Sequence, residues 1–231
     1  MSSPAVIQML ARSPLFGRLG EDERKAVADE MRPTAFAAGQ VIFSRGDPGR
    51  EIFVVTEGRV RISVLTVEGR ELSFWHAEPG AVFGEIAALD GGPRTADATA
   101  VTVVKAQTLG QAALKRIMEK KPVVAEAAIA LLCTRLREAD QQLEAIALHP
   151  IEVRLARFFL AQARVKAPTQ RAGKVDIDLG MSQSELALLI GASRPKVNAA
   201  LIALEDSAAI VRKGTMLACD LDALIQVASL D

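Results

Sequence analysis

The stretch Phe83-Gly84-Glu85-Ile86-Ala87, followed by Arg94-Thr95-Ala96, decides how this chain folds. A glycine before a carboxylate lets the backbone approach a ligand closely, and Glu85 can accept a hydrogen bond from a ribose hydroxyl. The guanidinium of Arg94 matches two phosphate oxygens, and the Thr95 hydroxyl with the amides of Ala87 and Ala96 completes an anion cradle. The pattern predicts a pocket for a cyclic nucleotide, which joins a ribose to a phosphate.

Residues 35–109, on both sides of that stretch, favour a β-rich domain. Short β-branched runs alternate with glycines, a spacing that predicts many short strands joined by turns. Residues 52–56 and 60–65 predict a hairpin across Glu57-Gly58, and a second strand pair follows across Gly69. Residues 14–31 predict one or two short helices before the strands.

From about Lys121 to Ile146 the glycines disappear, and apolar residues recur at alternating spacings of three and four. This heptad seam predicts a long helix whose apolar face needs a partner. One interpretation packs that face on the helix's own β-domain. We prefer a parallel contact between two copies of the chain, because charged residues flank the seam. The predicted interface consists of Ile129, Leu132, Leu136, Ala139, Leu143 and Ile146.

The C-terminal region begins where His149-Pro150 ends the long helix. Ser182 and Glu185 form a capping-box pattern that opens one helix. Gly191 turns the chain into a second helix, with Ser193 as N-cap and Pro195 in the first turn. The pair resembles a helix-turn-helix, and residues 210–217 predict a hairpin, or wing, after it.

The second helix of that pair carries side chains suited to reading DNA bases. Arginine can bond guanine through two atoms, asparagine can do so with adenine, and lysine suits guanine or phosphate. Basic residues on the wing suit phosphate. The predicted DNA contacts are Ser182, Gln183, Ser193, Arg194, Lys196, Asn198, Arg212 and Lys213.

The composition of the 231 residues limits the possible partners and compartments. The 28 basic and 28 acidic residues balance, so any DNA contact must be local. Cys133 and Cys219 lie far apart with no metal-ligand spacing, which fits a reducing cytoplasm. The chain shows neither a membrane-length apolar run nor a signal-peptide pattern at its start. We expect a cytoplasmic protein with no membrane partner.

The order of these regions resembles the Crp/Fnr family of bacterial transcription regulators, which includes the catabolite activator, or cyclic AMP receptor protein. The resemblance covers nearly the whole chain and implies an α+β fold. Its parts would be a jelly-roll-like, cyclic-nucleotide-binding β-roll at residues 1–120, a dimerisation helix at 121–148 and a winged helix-turn-helix at 149–231.

The same resemblance implies a homodimer that binds a cyclic nucleotide in each β-roll and a pseudo-palindromic site on double-stranded DNA. RNA polymerase is a further expected partner. We expect no enzyme activity, metal, haem or iron–sulfur cluster. Carried over by motif, Gly84, Glu85, Arg94 and Thr95 would bind the ribose and phosphate, and Arg194 would be the principal base reader on DNA. The predicted ligand-binding set also contains Ile86, Ala87 and Ala96.

The chain departs from the cyclic AMP receptor at the base. That receptor has a Thr-Ser pair on its long helix touching the adenine, whereas the aligned residues here are Ala139 and Asp140. A carboxylate at Asp140 would suit the two adjacent N–H donors of guanine, so cyclic GMP rivals cyclic AMP, which we place slightly ahead. Pro195 and Ala199 also differ from the receptor's recognition helix, so its DNA sequence does not transfer.

Two alternatives stay open. One is a regulator of the same type that binds DNA without a cyclic mononucleotide or answers to a cyclic dinucleotide; the intact Glu85, Arg94 and Thr95 disfavour it. The other is a cyclic-nucleotide-binding regulatory subunit of an enzyme, which the DNA-reading pattern of the C-terminal region disfavours.

Overall fold

The computed structural model describes residues 4–65, 71–214 and 216–229. The chain divides into two compact units, residues 1–137 and 138–231, and the division falls inside a long helix, α5 (Pro122–Leu148). The domain boundaries predicted at 120/121 and 148/149 stay predictions.

The first unit combines short helices with antiparallel strands. Its helices other than α5 are α1 (Pro4–Ala11), a short 3-10 helix (Phe16–Arg18), α2 (Glu21–Glu30), α3 (Glu85–Asp90) and α4 (Gln111–Lys120). Its strands are β1 (Arg32–Phe36), β2 (Val41–Phe43), β3 (Glu51–Glu57), β4 (Val60–Leu65), β5 (Glu71–Ala77), β6 (Val82–Phe83), β7 (Asp97–Ala100) and β8 (Val104–Gly110).

The strands form one sheet of order β1-β8-β3-β6 and another of order β2-β7-β4-β5. Strand β3 shows how they pack, because all its central residues are buried but alternate residues face different cores. Phe53 and Val55 join the core between the sheets, and Ile52 and Val54 join a core shared with the helices. The predicted α+β class is confirmed.

The hairpin predicted between residues 52–56 and 60–65 is wrong, because β3 and β4 lie in different sheets. Between them Gly58 adopts a φ of +85°, and a Cβ there would lie 2.1 Å from the carbonyl oxygen of Val103. The chain passes from one sheet to the other at this glycine, where it runs close to the backbone of Val103. The second predicted pair is confirmed, since β4 pairs with β5, although Gly69 itself lies outside the described residues.

The second unit holds the remaining elements: α6 (Ile151–Lys166), β9 (Lys174–Asp178), α7 (Gln183–Ile190), α8 (Arg194–Asp206), β10 (Ile210–Lys213), β11 (Met216–Asp220) and α9 (Leu221–Ala228). The strands form a sheet of order β10-β11-β9, and one apolar core joins it to the helices. The predicted wing is the hairpin of β10 and β11, although Thr215 at its tip lies outside the described residues.

Helices α7 and α8 meet at 96°, within the usual range for a helix-turn-helix. Gly191 turns the chain between them with a φ of +70°. In the described part of the chain no single helix is long and apolar enough to span a membrane, and only this bent pair passes on combined length and composition.

Candidate functional site

The predicted ligand stretch folds as a tight turn from β6 into α3. Gly84 adopts a φ of +76°, and a Cβ there would lie 2.6 Å from Nη1 of Arg94. Only glycine fits this position without strain. The turn therefore brings the start of α3, with Glu85, beside Arg94.

Arg94 is buried, with 5% of its surface exposed. Its Nη1 donates hydrogen bonds of 2.8 Å to the carbonyl oxygens of Glu51 and Gly84, and its Cζ lies 4.1 Å from the centre of the Phe43 ring. Its Nε is buried without a hydrogen-bond partner, and it forms no ion pair with any residue that the structure describes. Burial lowers the pKa of this guanidinium. The site thus holds a buried cation with one unsatisfied hydrogen-bond donor.

Gly49, on the loop before β3, lies against the side chain of Arg94. A Cβ at Gly49 would lie 2.2 Å from that of Ala87 and 3.0 Å from Cδ and Nε of Arg94. In the sequence, Gly49 is one of the glycines that predict turns between the strands, with no further role. Its contact depends on residues distant in sequence, so no local signal marks it.

Glu85 is the second buried charged group, with 6% exposure. Burial raises the pKa of its carboxyl, while Arg135 and Arg94 act to lower it. Nε of Arg135, on α5, lies 3.9 Å from Oε1 of Glu85, and Cζ of Arg135 lies 3.7 Å from the centre of the Trp75 ring on β5. The carboxylate, the guanidinium and the indole form one cluster.

The other predicted ligand residues differ in access. Ala87 and Ala96 are buried, whereas Ile86 and Thr95 are exposed. Ala139 and Asp140 are exposed on the part of α5 that belongs to the second unit. Their contact with a nucleotide base stays a prediction.

Helix α5 carries two apolar faces. Val124, Ala127, Ala128 and Leu131 are buried in the core of the first unit. The predicted seam is a different face: Leu136 is 63% and Leu143 67% exposed, Ile129, Ala139 and Ile146 are exposed, and Leu132 is partly buried. The seam is therefore not packed on the helix's own β-domain. This finding argues against the first of the two interpretations of the seam and leaves its apolar face open to a partner.

The predicted DNA-contact residues differ in their hydrogen bonding and in their exposure to solvent. The capping box is present, since the Ser182 hydroxyl accepts a hydrogen bond from the Glu185 amide and Glu185 Oε2 accepts one of 2.7 Å from the Ser182 amide. Ser193 is the N-cap of α8, but its side chain makes no capping bond. The other predicted residues divide into exposed Arg194, Lys196 and Lys213 and partly buried Gln183, Asn198 and Arg212.

Arg212 on the wing pairs with Glu205 on α8. Its Nη2 lies 2.5 Å from Glu205 Oε2, and its backbone amide donates to Oε1 at 3.4 Å. The pairing lowers the pKa of Glu205 and raises that of Arg212. Arg212 thus joins the wing to α8, which sequence analysis did not foresee.

Known proteins resemble both units. The cyclic nucleotide-binding domain family matches residues 33–121, and the Crp-like helix-turn-helix domain family matches residues 153–227. The chain is 31% identical over 194 residues to a CRP-like cAMP-activated global transcriptional regulator of Mycobacterium tuberculosis, covering 84% of this chain and 86% of that protein. It is 33% identical over 202 residues to the cyclic AMP receptor protein of Thermus thermophilus, covering 87% and 89%.

The chain belongs to the Crp/Fnr family. A crystal structure of the Thermus thermophilus catabolite activator protein shares 28% identity and a TM-score of 0.55, covering 94% of this chain and 98% of that one. As a Crp/Fnr regulator, the protein binds a cyclic nucleotide and DNA and regulates transcription.

Two residues of this Crp/Fnr regulator that lie beside Glu85 had no predicted role at the ligand site. Arg135 was predicted as one of the charges that flank the seam. One signal was available, because Arg135 precedes the predicted base contact Ala139 by four residues and so shares its helix face. Trp75, the chain's only tryptophan, gave no signal beyond its strand.

Proposed function

We propose that this protein is a homodimeric regulator switched by a cyclic mononucleotide, with cyclic AMP slightly ahead of cyclic GMP. The observation that carries the proposal is Arg94, a buried guanidinium with an unpartnered Nε beside the carboxylate of Glu85. Burying a cation is unfavourable unless an anion pairs with it. A cyclic phosphate supplies the missing charge and acceptor, and its ribose supplies a hydroxyl donor for Glu85.

Cyclic AMP is placed ahead because the Mycobacterium tuberculosis relative is named as cAMP-activated and the Thermus thermophilus relative as a cyclic AMP receptor. The exposed Thr95 hydroxyl, with the amides of Ala87 and Ala96, would complete the phosphate cradle. The base would lie near Ala139 and Asp140. A cyclic dinucleotide or nucleotide-independent action is the alternative.

The exposed seam of α5 supports the homodimer. Large apolar side chains such as Leu136 and Leu143 remain exposed in the single chain, at spacings that suit a parallel two-helix contact. A two-fold dimer would present two α8 helices about 34 Å apart, one turn of DNA, and so would read a pseudo-palindromic site. Its target and its expected partner RNA polymerase would be met in the cytoplasm.

The test combines calorimetry with DNA binding. Cyclic AMP, cyclic GMP and cyclic di-GMP are titrated into the protein, and a DNA site obtained by selection is then titrated with and without each nucleotide. We expect one cyclic mononucleotide to raise DNA affinity about five- to 150-fold, the range of typical allosteric coupling. Equal DNA affinity with and without every mononucleotide would refute the proposal.

Asp140 decides between the two mononucleotides. If its carboxylate pairs with guanine, an Asp140→Ala variant loses any cyclic GMP preference of the parent protein. If the two proteins show identical selectivity, the carboxylate does not contact the base.

A further inference from the structure

The indole of Trp75 lies against a cation instead of a purely apolar neighbour. The ring is partly buried and packs against the core between the two sheets, while Cζ of Arg135 lies 3.7 Å from its centre. Guanidinium groups stack readily on aromatic faces, and so do nucleobases. An aromatic face on which an arginine side chain stacks can therefore exchange that side chain for a base.

The position of the Arg135 guanidinium shows that the face of the Trp75 ring lies close to Glu85, the predicted ribose contact. Nε of Arg135 lies 3.9 Å from Oε1 of Glu85, so one planar cation separates the carboxylate from the indole. In a nucleotide the base is attached to the carbon next to the one that carries the 2′-hydroxyl. A ribose held by its hydroxyl at Glu85 must therefore bring its base within a few ångström of the surfaces beside that carboxylate.

We propose that Trp75 is the stacking platform for the nucleobase, which takes the place now held by the guanidinium of Arg135. Arg135 then closes its 3.9 Å separation from Glu85 to a hydrogen bond. The inference rests on the proposed function, because it places the base of the same ligand. Arg135 directly precedes the seam residue Leu136, so the exchange moves a side chain on the helix that carries the seam.

The platform has a consequence for selectivity. Stacking recognises the face of a base and not its edge, so Trp75 strengthens the binding of cyclic AMP and cyclic GMP alike. Trp75→Leu should weaken both by a similar factor, on the order of tenfold to a hundredfold, and leave their ratio unchanged. Selectivity must then come from residues that meet the edge of the base.

The experiment compares three proteins and three ligands by calorimetry. The ligands are cyclic AMP, cyclic GMP and a base-free ribose 3′,5′-cyclic phosphate. The proteins are the parent, Trp75→Leu and the control Phe74→Leu, since Phe74 is 38% exposed on the same strand. We expect Trp75→Leu to lose affinity for both nucleotides but not for the base-free ligand, and Phe74→Leu to match the parent.

Tryptophan emission gives a second readout, since the chain has a single tryptophan. Both nucleotides should change it in the parent more than the base-free ligand does. If cyclic nucleotides bind but Trp75→Leu binds them as the parent does, or loses affinity for all three ligands equally, the platform is refuted while the proposed function stands. If the parent binds no cyclic nucleotide, the proposed function itself fails.

Discussion

Nε of Arg135 lies 3.9 Å from Oε1 of Glu85, which brings a cation from α5 to the carboxylate that begins α3. The relationship matters because α5 also carries the exposed seam. A ligand that changes the environment of Glu85 therefore acts on a side chain of the helix through which two chains would meet.

Arg94→Ala should weaken cyclic nucleotide binding by about tenfold or more, because a charge-assisted hydrogen bond contributes roughly 1.5–3 kcal/mol. It should also lower the melting temperature without ligand, since the carbonyl groups of Gly84 and Glu51 lose their shared donor. Calorimetry and thermal unfolding measure the two effects. Arg50→Ala, at an exposed arginine nearby, is the control. Unchanged nucleotide affinity in the Arg94 variant would disprove the phosphate role.

Gly49→Ala should also weaken nucleotide binding, because the added methyl group would meet Ala87 and Arg94. We expect the cation to shift and the pocket to lose its shape. Gly110→Ala is the matched control, since a Cβ there meets nothing within 4 Å. Calorimetry on both variants measures the difference, and equal affinities would show that Gly49 does not set the position of Arg94.

Glu85 should make the stability of the ligand-free protein depend on pH. Burial raises the pKa of its carboxyl above the ordinary value of 4.5, so the folded state favours the protonated form. The contribution of the protonated carboxyl to stability is fully present below pH 4.5, and it is lost as the pH rises through the raised pKa of the folded state. Glu85→Gln should therefore be more stable than the parent at pH 7, with a difference that shrinks toward pH 4.5. Urea unfolding across this range measures it, and a difference independent of pH would contradict the prediction.

Leu136→Glu should convert the proposed dimer to a monomer, because it would place two carboxylates opposite each other in a desolvated seam. Sedimentation velocity measures the mass. Arg137→Glu, one residue further along and outside the seam, should stay dimeric. A stable dimer of the Leu136 variant would exclude this seam as the interface.

Arg194→Ala and Lys213→Ala should weaken DNA binding in different ways. Arg194 is exposed at the start of α8, so its loss should relax specificity at one base position per half-site, at a cost of about 1–3 kcal/mol. Lys213 lies on the wing, so its loss should weaken the binding of all DNA sequences alike and reduce the salt dependence of that binding. Anisotropy titrations on selected and random DNA separate the two. Equal losses on both DNAs for Arg194→Ala would reassign it to a phosphate.

Sequence alone identified the elements whose chemistry is local. Gly84 was recognised as the glycine that lets the backbone approach a ligand, Gly191 as the turn between two helices, and the capping box of Ser182 because its partners lie three residues apart. The structure adds that both glycines adopt the left-handed conformation. The extent of α5 followed from the glycine-free stretch after Lys121, its heptad spacing and the break at His149-Pro150. In each case the interacting groups are neighbours in the chain, so their spacing carries the information.

Tertiary structure decided what lies between distant residues. It separated β3 and β4 into different sheets, set Arg135 between Glu85 and Trp75, and paired Arg212 with Glu205. The sequence predicted Arg135 as one of the solvated charges that flank the seam, and it predicted Arg212 as a phosphate contact on the wing. Which cation is drawn to which carboxylate depends on how the sheets and helices close around it, and that packing is set by the whole apolar core and not by local spacing.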